Sequence, residues 1–466
     1  MSDEGKGRLV VVSNRIPLSK PPAGGLVVAL DDALRGSGGL WVGAAEEVVE
    51  TPRDHLVEHP ADGYTKLSFD LTAADRNEYY LGYSNGVLWP LCHRRSDLID
   101  FRPEYREGYM RVNRRIAGLL KDLLRPDDRL WIHDYHFLPL AHCLRELGVD
   151  VTMGFFLHIP FPTHTDLEAL SQPEAFLQWM AAHDLVGLQS QSDVASFLAA
   201  IRRAPRGELL PDGMVSYADR RFRIASFPIG IAPQEFAEAS VAIDGSDLIG
   251  PDRRGAKLMI GVDRLDYSKG IPHRLRGFES YLDTRGPDMP RATLLQIAPP
   301  SRSEILAYKE IRAELEQIAG AVNGKHAELD WTPIRYLHRN IPREVLAPLF
   351  RAADAAMVTP LADGMNLVAK EYIAAQDPDN PGVLILSRFA GAAEQLKSSV
   401  MVNPYDRSQM AEAIGRALTM SREERRARHV EARANVFEHD IAEWSANFLR
   451  ALGDVRGPGL SVDAGG

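Results

Sequence analysis

The strict alternation of short apolar runs with amphipathic helical segments limits this chain more than any other feature. "RLVVVS" (8–13), "DRLWIHD" (128–134), "VTMGFFLHI" (151–159) and "RFRIASFPIGI" (221–231) read as strands without polar alternation. Strands buried on both faces of a parallel sheet have that texture. Between them lie segments of helical spacing, such as "YREGYMRVNRRIAGLLKDLL", which ends before Pro126, and "FLPLAHCLRELG", stopped by Gly148. The stretch 233–256 is polar and aperiodic. After it the alternation restarts with "KLMIGVDRL", "ATLLQIAPP", "PIRYLHR", "AAMVTPL" and "GVLILS", with helices expected from 271, about 303, 342 and 366.

A chain of 466 residues is too long for one core. Two successive βα runs predict an α/β protein with two doubly wound, Rossmann-like domains. The expected division is 1–232, a linker region 233–256, a second domain 257–445, and a helix end and tail 446–466 that packs back on the first domain. The charged helical segment 421–453 carries Trp444 and Phe448 at i and i+4, which suits docking.

Charge and composition remove several function classes. The net charge is −10, so nothing draws the chain as a whole to nucleic acid or an anionic membrane. An anionic ligand therefore needs a local cluster of Arg and Lys. Cys92 and Cys143 stand far apart in apolar surroundings and read as buried, reduced thiols. No stretch reaches the roughly 20 apolar residues of a membrane span, and the N-terminus has no apolar run of signal-peptide length. The expected location is the cytoplasm.

Ligands of open α/β sheets bind at the carboxyl ends of the strands. In "PLADGMNLVAKEYIAAQ" (360–376) a strand hands over to a helix. The helix N-terminus offers unpaired N–H groups and partial positive charge to a phosphate. Gly364 lets backbone approach a ligand, Asp363 can accept from hydroxyls, and Glu371 can reach a ribose. That fits a nucleotide-sugar diphosphate, although an Asp–Gly turn before an ordinary core helix explains the stretch equally well by itself. The neighbouring strand ends add weight. "DRLDYSKG" offers Arg264 and Lys269, two cations able to neutralise a diphosphate leaving group without metal. Arg302 follows another strand, Asn14 and Arg15 follow the first, and "AGGL" (23–26) brings a glycine pair. Asp134 and His158 end two more strands.

Three other patterns carry less. "GYSNG" (82–86) matches a nucleophile elbow, but the required strand, turn and helix are missing. "DPD" (377–379) resembles a metal-binding acid pair, yet its proline-rich setting is that of a turn. His133 and His136 could be metal ligands, but no third ligand is near; one packed and one exposed histidine is the expectation.

Taken together, "SNRIP", "GGL", "LWP", "WIHDYH", "GFFLHIPFP", "RLDYSKG", "QIAPPSR", "GMNLVAKEYIAAQ" and "NPYD" resemble the trehalose-6-phosphate synthase family, in order and from residue 8 to about 450. That family consists of retaining glycosyltransferases with two facing Rossmann-like domains and a catalytic cleft between them, the GT-B type. The resemblance implies transfer of glucose from UDP-glucose to glucose 6-phosphate, giving α,α-trehalose 6-phosphate, with no cofactor, no metal, no nucleic acid and no membrane. It also implies a homo-oligomer, dimer or tetramer. Arg264 and Lys269 would hold the donor diphosphate with the amides of Leu367 and Val368. Asn366, Ala369 and Lys370 belong to the same donor stretch, and Glu371 would hold the ribose. Gly24, Gly25 and Asp363 would meet the donor glucose, and Ile341 the uracil through its backbone. Arg15, Tyr80, Trp89 and Arg302 would bind the acceptor and its phosphate. Asp134 would bind an acceptor hydroxyl, and His158 would stand beside the reacting sugars.

The chain departs from the family pattern in a short loop between Arg15 and Gly25, in the segment 44–47, and at Ala362, where a basic residue is common. These positions bear on the donor-site lid and base preference. Two alternatives remain open at this point: a related synthase with another acceptor, such as glycerol 3-phosphate, and a non-catalytic sugar-phosphate sensor.

Overall fold

The computed structural model describes residues 7–18, 27, 30, 31, 33–35, 38–249, 255–302 and 304–455. Sixteen strands are seen among them. Ten form the first sheet: β1 (Leu9–Arg15), β2 (Leu40–Val48), β3 (Val57–Pro60), β4 (Thr65–Leu71), β5 (Arg129–His133), β6 (Thr152–Phe156), β7 (Leu185–Leu188), β8 (Gly207–Leu209), β9 (Val215–Tyr217) and β10 (Arg220–Ser226). Six form the second: β11 (Lys257–Val262), β12 (Ala292–Ile297), β13 (Ile334–Leu337), β14 (Ala355–Val358), β15 (Val383–Ser387) and β16 (Val400–Val402).

The first sheet has the order β3-β4-β2-β1-β5-β6-β7-β10-β9-β8. Its centre is parallel, from β4 through β10, and the antiparallel pairings are confined to β3 and to β9 and β8. The second sheet has the order β13-β12-β11-β14-β15-β16 and is parallel throughout. Its central strands are buried along nearly their whole length, as apolar runs on both faces of a parallel sheet must be.

Each sheet has a switch point beside its first strand. On the first sheet β2 lies to one side of β1 and β5 to the other. On the second, β12 and β14 flank β11. Loops leaving neighbouring strands at such a switch point part to opposite faces and leave a crevice. That topology, set by strand order alone, decides where ligand-binding side chains gather.

The chain forms two units, Met1–Pro228 with Ile441–Gly466, and Ile229–Asp440. These boundaries differ from the expected ones. The segment expected as a linker holds a helix, Pro233–Ser240, whose Phe236 is buried. Arg343 of the second unit covers that ring at 3.9 Å and pairs with Glu235 at 2.6 Å. Two turns of apolar spacing inside a polar stretch are too short a signal to read as a helix. The charged segment read as one helix is two, Arg422–Glu438 and Ile441–Asp454, parted at His439 and Asp440. The second of these belongs to the first unit, where Phe448 stacks on Trp131 at 4.6 Å and Trp444 meets Phe156 edge-on at 5.0 Å. Gly154 and Gly187 make room for this helix, since a Cβ at either would lie 2.9 or 2.7 Å from the Phe448 ring.

Both cysteines are buried and free. "GYSNG" lies within a wide, π-helical stretch, Arg76–Leu88, with no strand before it, which excludes an elbow. No helix among the described residues is long and apolar enough to cross a membrane.

Candidate active site

At the switch point of the first sheet, β1 ends in Asn14 and Arg15 and β5 is followed by Asp134. The π-helical stretch supplies their partners. Tyr79 donates to Asn14 Oδ1 at 3.1 Å, and Arg15 donates to the Tyr80 hydroxyl at 3.1 Å. The Arg15 guanidinium also lies 5.8 Å from the Tyr80 ring centre, and that ring stacks on His136 at 5.7 Å and 11°. His136 is therefore buried, like His133, and the expectation of one exposed histidine is corrected. The aromatic neighbours Tyr79, Tyr80 and Tyr135 enclose it, a setting that local sequence does not reveal. Trp89 is buried too, stacked on His93 at 4.1 Å and tilted against Tyr135 at 5.7 Å.

A pocket of about 630 Å³ opens here, lined by Asn14, Arg15, Tyr80, Arg76, Ala44 and Glu46 among others. The departure at 44–47 thus forms part of its wall. Ala44 sits opposite Arg15 in the register of β1 and β2. The other departure from the pattern in this unit, the loop towards Gly25, and the expected ligands Gly24 and Gly25 themselves lie outside the described residues.

Asp134 has φ 73° and ψ 165°, a conformation that costs a non-glycine residue about 1–3 kcal/mol and that clusters at functional sites. Its carboxylate accepts from the His158 main-chain N–H at 3.3 Å, and its own N–H donates to Phe156 O at 2.8 Å. So two expected residues from different strands are held together. Burial pushes the His158 imidazole down to about 3, and His133 well below its usual value, with His158 itself as a second cause.

The second sheet presents a different kind of site. After β11, Asp266 turns the chain by accepting from Ser268 N–H at 2.9 Å, and Gly270 takes φ +64° before the helix Ile271–Thr284. A side chain at Gly270 would lie 2.4 Å from Thr359 O, so the glycine lets this loop reach the end of β14. There the Lys269 ammonium pairs with Asp363. Asn366 donates to Asp363 at 3.0 Å and to Asp263 at 3.4 Å. Asp263 in turn pairs with Arg274 at 2.6 Å, a fully buried guanidinium that also donates to Thr359 and Gln296. Asn366 is left-handed, φ 71°, and makes no side-chain cap on the helix Leu367–Ala375. The first-turn N–H groups of Leu367, Val368 and Ala369 therefore have no side-chain cap, the arrangement that suits a phosphate.

Glu371, one turn along, is half-buried, and burial raises its carboxyl to about 7 against a smaller opposing pull from Arg343. Ile341 is half-buried just before the helix Arg343–Ala352. Arg264 is exposed in the same β11 loop. Arg302, φ 43°, is held at 3.1 Å from Asp266 and 2.6 Å from the Tyr308 hydroxyl. Burial beside Asp266 raises the Tyr308 phenol, which donates to that carboxylate at 2.7 Å.

One expected donor ligand is reassigned. Lys370 is wholly buried, and its ammonium donates to Ile229 O at 2.7 Å. Its side chain fixes the start of the second unit and is not presented to a ligand. Helical spacing explains this: Lys370 lies one position beside Glu371, on a different face. Sequence reasoning also passed over Asp263, Asp266, Arg274 and Gln189. Asp266 and Gln189 stood in readable places, one inside "RLDYSKG" and the other directly after β7. Arg274 looked like any helix-surface cation.

No group of three or more His, Cys, Asp or Glu side chains among the described residues is placed to hold a metal ion. His133, the candidate ligand, turns Nδ1 to His158 Nε2 at 3.0 Å.

Two doubly wound units, with polar side chains gathered at each switch point, define a GT-B protein of the sugar-transferring class. The model of Glycosyltransferase family 20 matches residues 10–454, and the chain belongs to that family. It is 45% identical over 453 residues to a trehalose-6-phosphate synthase of Cronobacter sakazakii, covering 96% of this chain and 95% of the relative. Among solved structures it resembles one from E. coli described as trehalose-6-phosphate bound with UDP-2-fluoro glucose. That match has a TM-score of 0.92 and 44% identity, over 96% of this chain and 99% of the other. A UDP-forming α,α-trehalose-phosphate synthase from Burkholderia xenovorans in complex with glucose-6-phosphate has a TM-score of 0.91 at 44% identity, over 96% and 100% of the two chains.

Proposed function

We propose that the chain is a retaining glucosyltransferase that moves glucose from UDP-glucose to glucose 6-phosphate, releasing UDP and forming α,α-trehalose 6-phosphate. The observation that carries this reading is identity of 45% to a trehalose-6-phosphate synthase across 96% of the chain, with the family model spanning residues 10–454, which include every candidate residue.

The chemistry follows from the groups present. The anomeric hydroxyl of glucose 6-phosphate attacks C1 of the donor glucose on the face from which the diphosphate leaves. The C1–O bond to the β-phosphate breaks, and the hydroxyl proton passes to that departing phosphate oxygen. Charge grows on the diphosphate, where Arg264, Lys269 and the N–H groups of Leu367, Val368 and Ala369 stabilise it. Glu371 holds the ribose, Ile341 the base, and Asp363 with Asn366 the donor sugar beside Gly24 and Gly25. On the acceptor side Arg15, Tyr80, Trp89 and Arg302 take the sugar phosphate, Asp134 a hydroxyl, and His158 stands by the reacting carbons.

Because fixed cations take the place of a divalent ion, transfer proceeds without added metal. Turnover in excess chelator should match the untreated rate; loss that Mg²⁺ or Mn²⁺ restores would contradict this. The protein works in the cytoplasm as a dimer or tetramer, which light scattering can test. Release of UDP, measured with glucose 6-phosphate, glycerol 3-phosphate and no acceptor in turn, tests the whole reading. Rapid release with glucose 6-phosphate alone is expected. Preference for glycerol 3-phosphate points to a sister synthase, and binding without release to a sensor.

A further inference from the structure

The surroundings of His158 fix more than its position. Their meaning depends on the proposed function, in which this residue stands beside the reacting sugars. His133, the last residue of β5, stacks on the His158 ring at 5.3 Å and 20°. Its Nδ1 lies 3.0 Å from His158 Nε2. On the other side, Gln189 Nε2 approaches His158 Nδ1 at 3.4 Å. An amide NH₂ only donates, so His158 Nδ1 accepts and the ring proton resides on Nε2. That N–H donates to His133 Nδ1, which is bare, and the His133 proton is on its own Nε2. The Nε2 of His133 is buried and has no hydrogen-bond partner. The centre of the His133 ring lies 4.4 Å from that of Trp131 and 6.3 Å from that of Trp444.

We propose that His133 is a positioning residue that fixes His158 as the Nε2–H tautomer, so that the imidazole meets the sugars as an oriented neutral surface and takes no part in proton transfer. Both nitrogens of His158 are engaged within the unit, by His133 and Gln189. Its ring rests against Phe156 at 4.7 Å and Trp444 at 6.0 Å, and its main-chain N–H is tied to Asp134. The helix Ile441–Asp454 thus contributes to the site through Trp444, although it is remote in sequence. Burial keeps both imidazoles neutral, which matches this arrangement.

The test uses the full-length protein labelled with ¹⁵N-histidine. Long-range ¹H–¹⁵N spectra near neutral pH should show Nε2–H tautomers for both His133 and His158. His133→Asn keeps an oxygen acceptor near the Nδ1 position, and His133→Leu removes it. His133→Leu should lower kcat about tenfold or more, as expected when a reacting geometry is loosened, with KM for UDP-glucose little changed because the donor is held by the other unit. His133→Asn should retain the His158 tautomer and recover most of the rate. A proton on Nδ1 of either ring in the wild type overturns the assignment, even if the variants do not fold. So does a folded His133→Leu with wild-type kcat, or an Asn variant no better than the Leu variant. Normal turnover by His158→Ala would instead overturn the reading of His158 itself, a separate failure visible in a separate variant.

Discussion

The two switch points are built by different means, and under the proposed function each would meet an anionic sugar. In the first unit the site is built of rings: Tyr80 on His136, Trp89 on His93, and His133 on His158, with Arg15 resting on Tyr80. Burial holds His133 and His158 neutral. In the second unit the site is built of charges already paired with each other: Lys269 with Asp363, Arg274 with Asp263, and Arg302 with Asp266. Stacked rings present a surface of fixed shape, which suits the sugar of the proposed acceptor beside the Arg15 guanidinium. The pair Lys269–Asp363 holds its cation in place before a diphosphate arrives, at the cost that the phosphate must compete with a carboxylate. In the proposed reaction Lys269 exchanges Asp363 for phosphate, and the released carboxylate becomes available to the donor sugar's hydroxyls.

That contrast can be broken in three places. The largest effect is expected at Lys269. Lys269→Ala should lower kcat by about 10²–10³, the usual loss for one group that stabilises transition-state charge, while the circular dichroism spectrum stays that of the wild type. Near-normal turnover would return this lysine to the role of an ordinary loop cation.

A smaller and more selective effect is expected at Arg302. A charge-assisted hydrogen bond is worth about 1.5–3 kcal/mol, or roughly 10- to 150-fold at 1.4 kcal/mol per decade. Arg302→Ala should lose that factor in kcat/KM with glucose 6-phosphate and change little with free glucose, itself a very poor acceptor. Initial rates of UDP release for two enzymes and two acceptors decide the point. Equal loss with both acceptors would mean that Arg302 acts only by bracing Asp266 and Tyr308.

The smallest effect concerns pH. His133 and His158 are lowered from 6.5, so as pH falls below that value the unfolded imidazoles bind protons first and the first unit loses stability. Glu371 is raised from 4.5 to about 7, so its contribution is complete below 4.5 and is lost as pH rises through 7. The two units are thus stressed from opposite sides. Glu371→Gln removes the second titration alone. The melting temperature of the variant minus that of the wild type should grow by a few degrees between about pH 5 and about pH 8. A difference that stays constant across that interval contradicts the desolvated state of Glu371.

Much of this was legible in the sequence because parallel strands announce themselves. "LVVVS", "KLMIGV" and "VLILS" must be buried on both faces, and a polar residue placed just after such a run marks a strand's carboxyl end. Arg15, Asp134, His158, Lys269, Arg302 and Asp363 were singled out that way, and the structure places each at or just beyond a strand's carboxyl end. Their supporting partners were not legible, since burial partners depend on contacts distant in sequence. Arg274 pairs with Asp263 only because a helix crosses back over β11, and Trp444 reaches His158 from the far end of the chain. The fate of Lys370 shows the same limit: a one-residue step around a helix separates an expected ligand from a core ammonium. The helix Pro233–Ser240 was missed because two apolar turns in polar company give too little periodicity.

The central claim, front-face transfer between a charged donor site and an aromatic acceptor site, is tested most directly by the stereochemistry of the product. UDP-α-glucose and glucose 6-phosphate should be incubated with the wild-type protein and the disaccharide phosphate examined by ¹H NMR. The anomeric proton of the transferred glucose should show the small coupling of an α linkage, with the configuration of the donor retained. A large coupling, marking a β linkage at that carbon, would mean attack from the opposite face and would contradict the account.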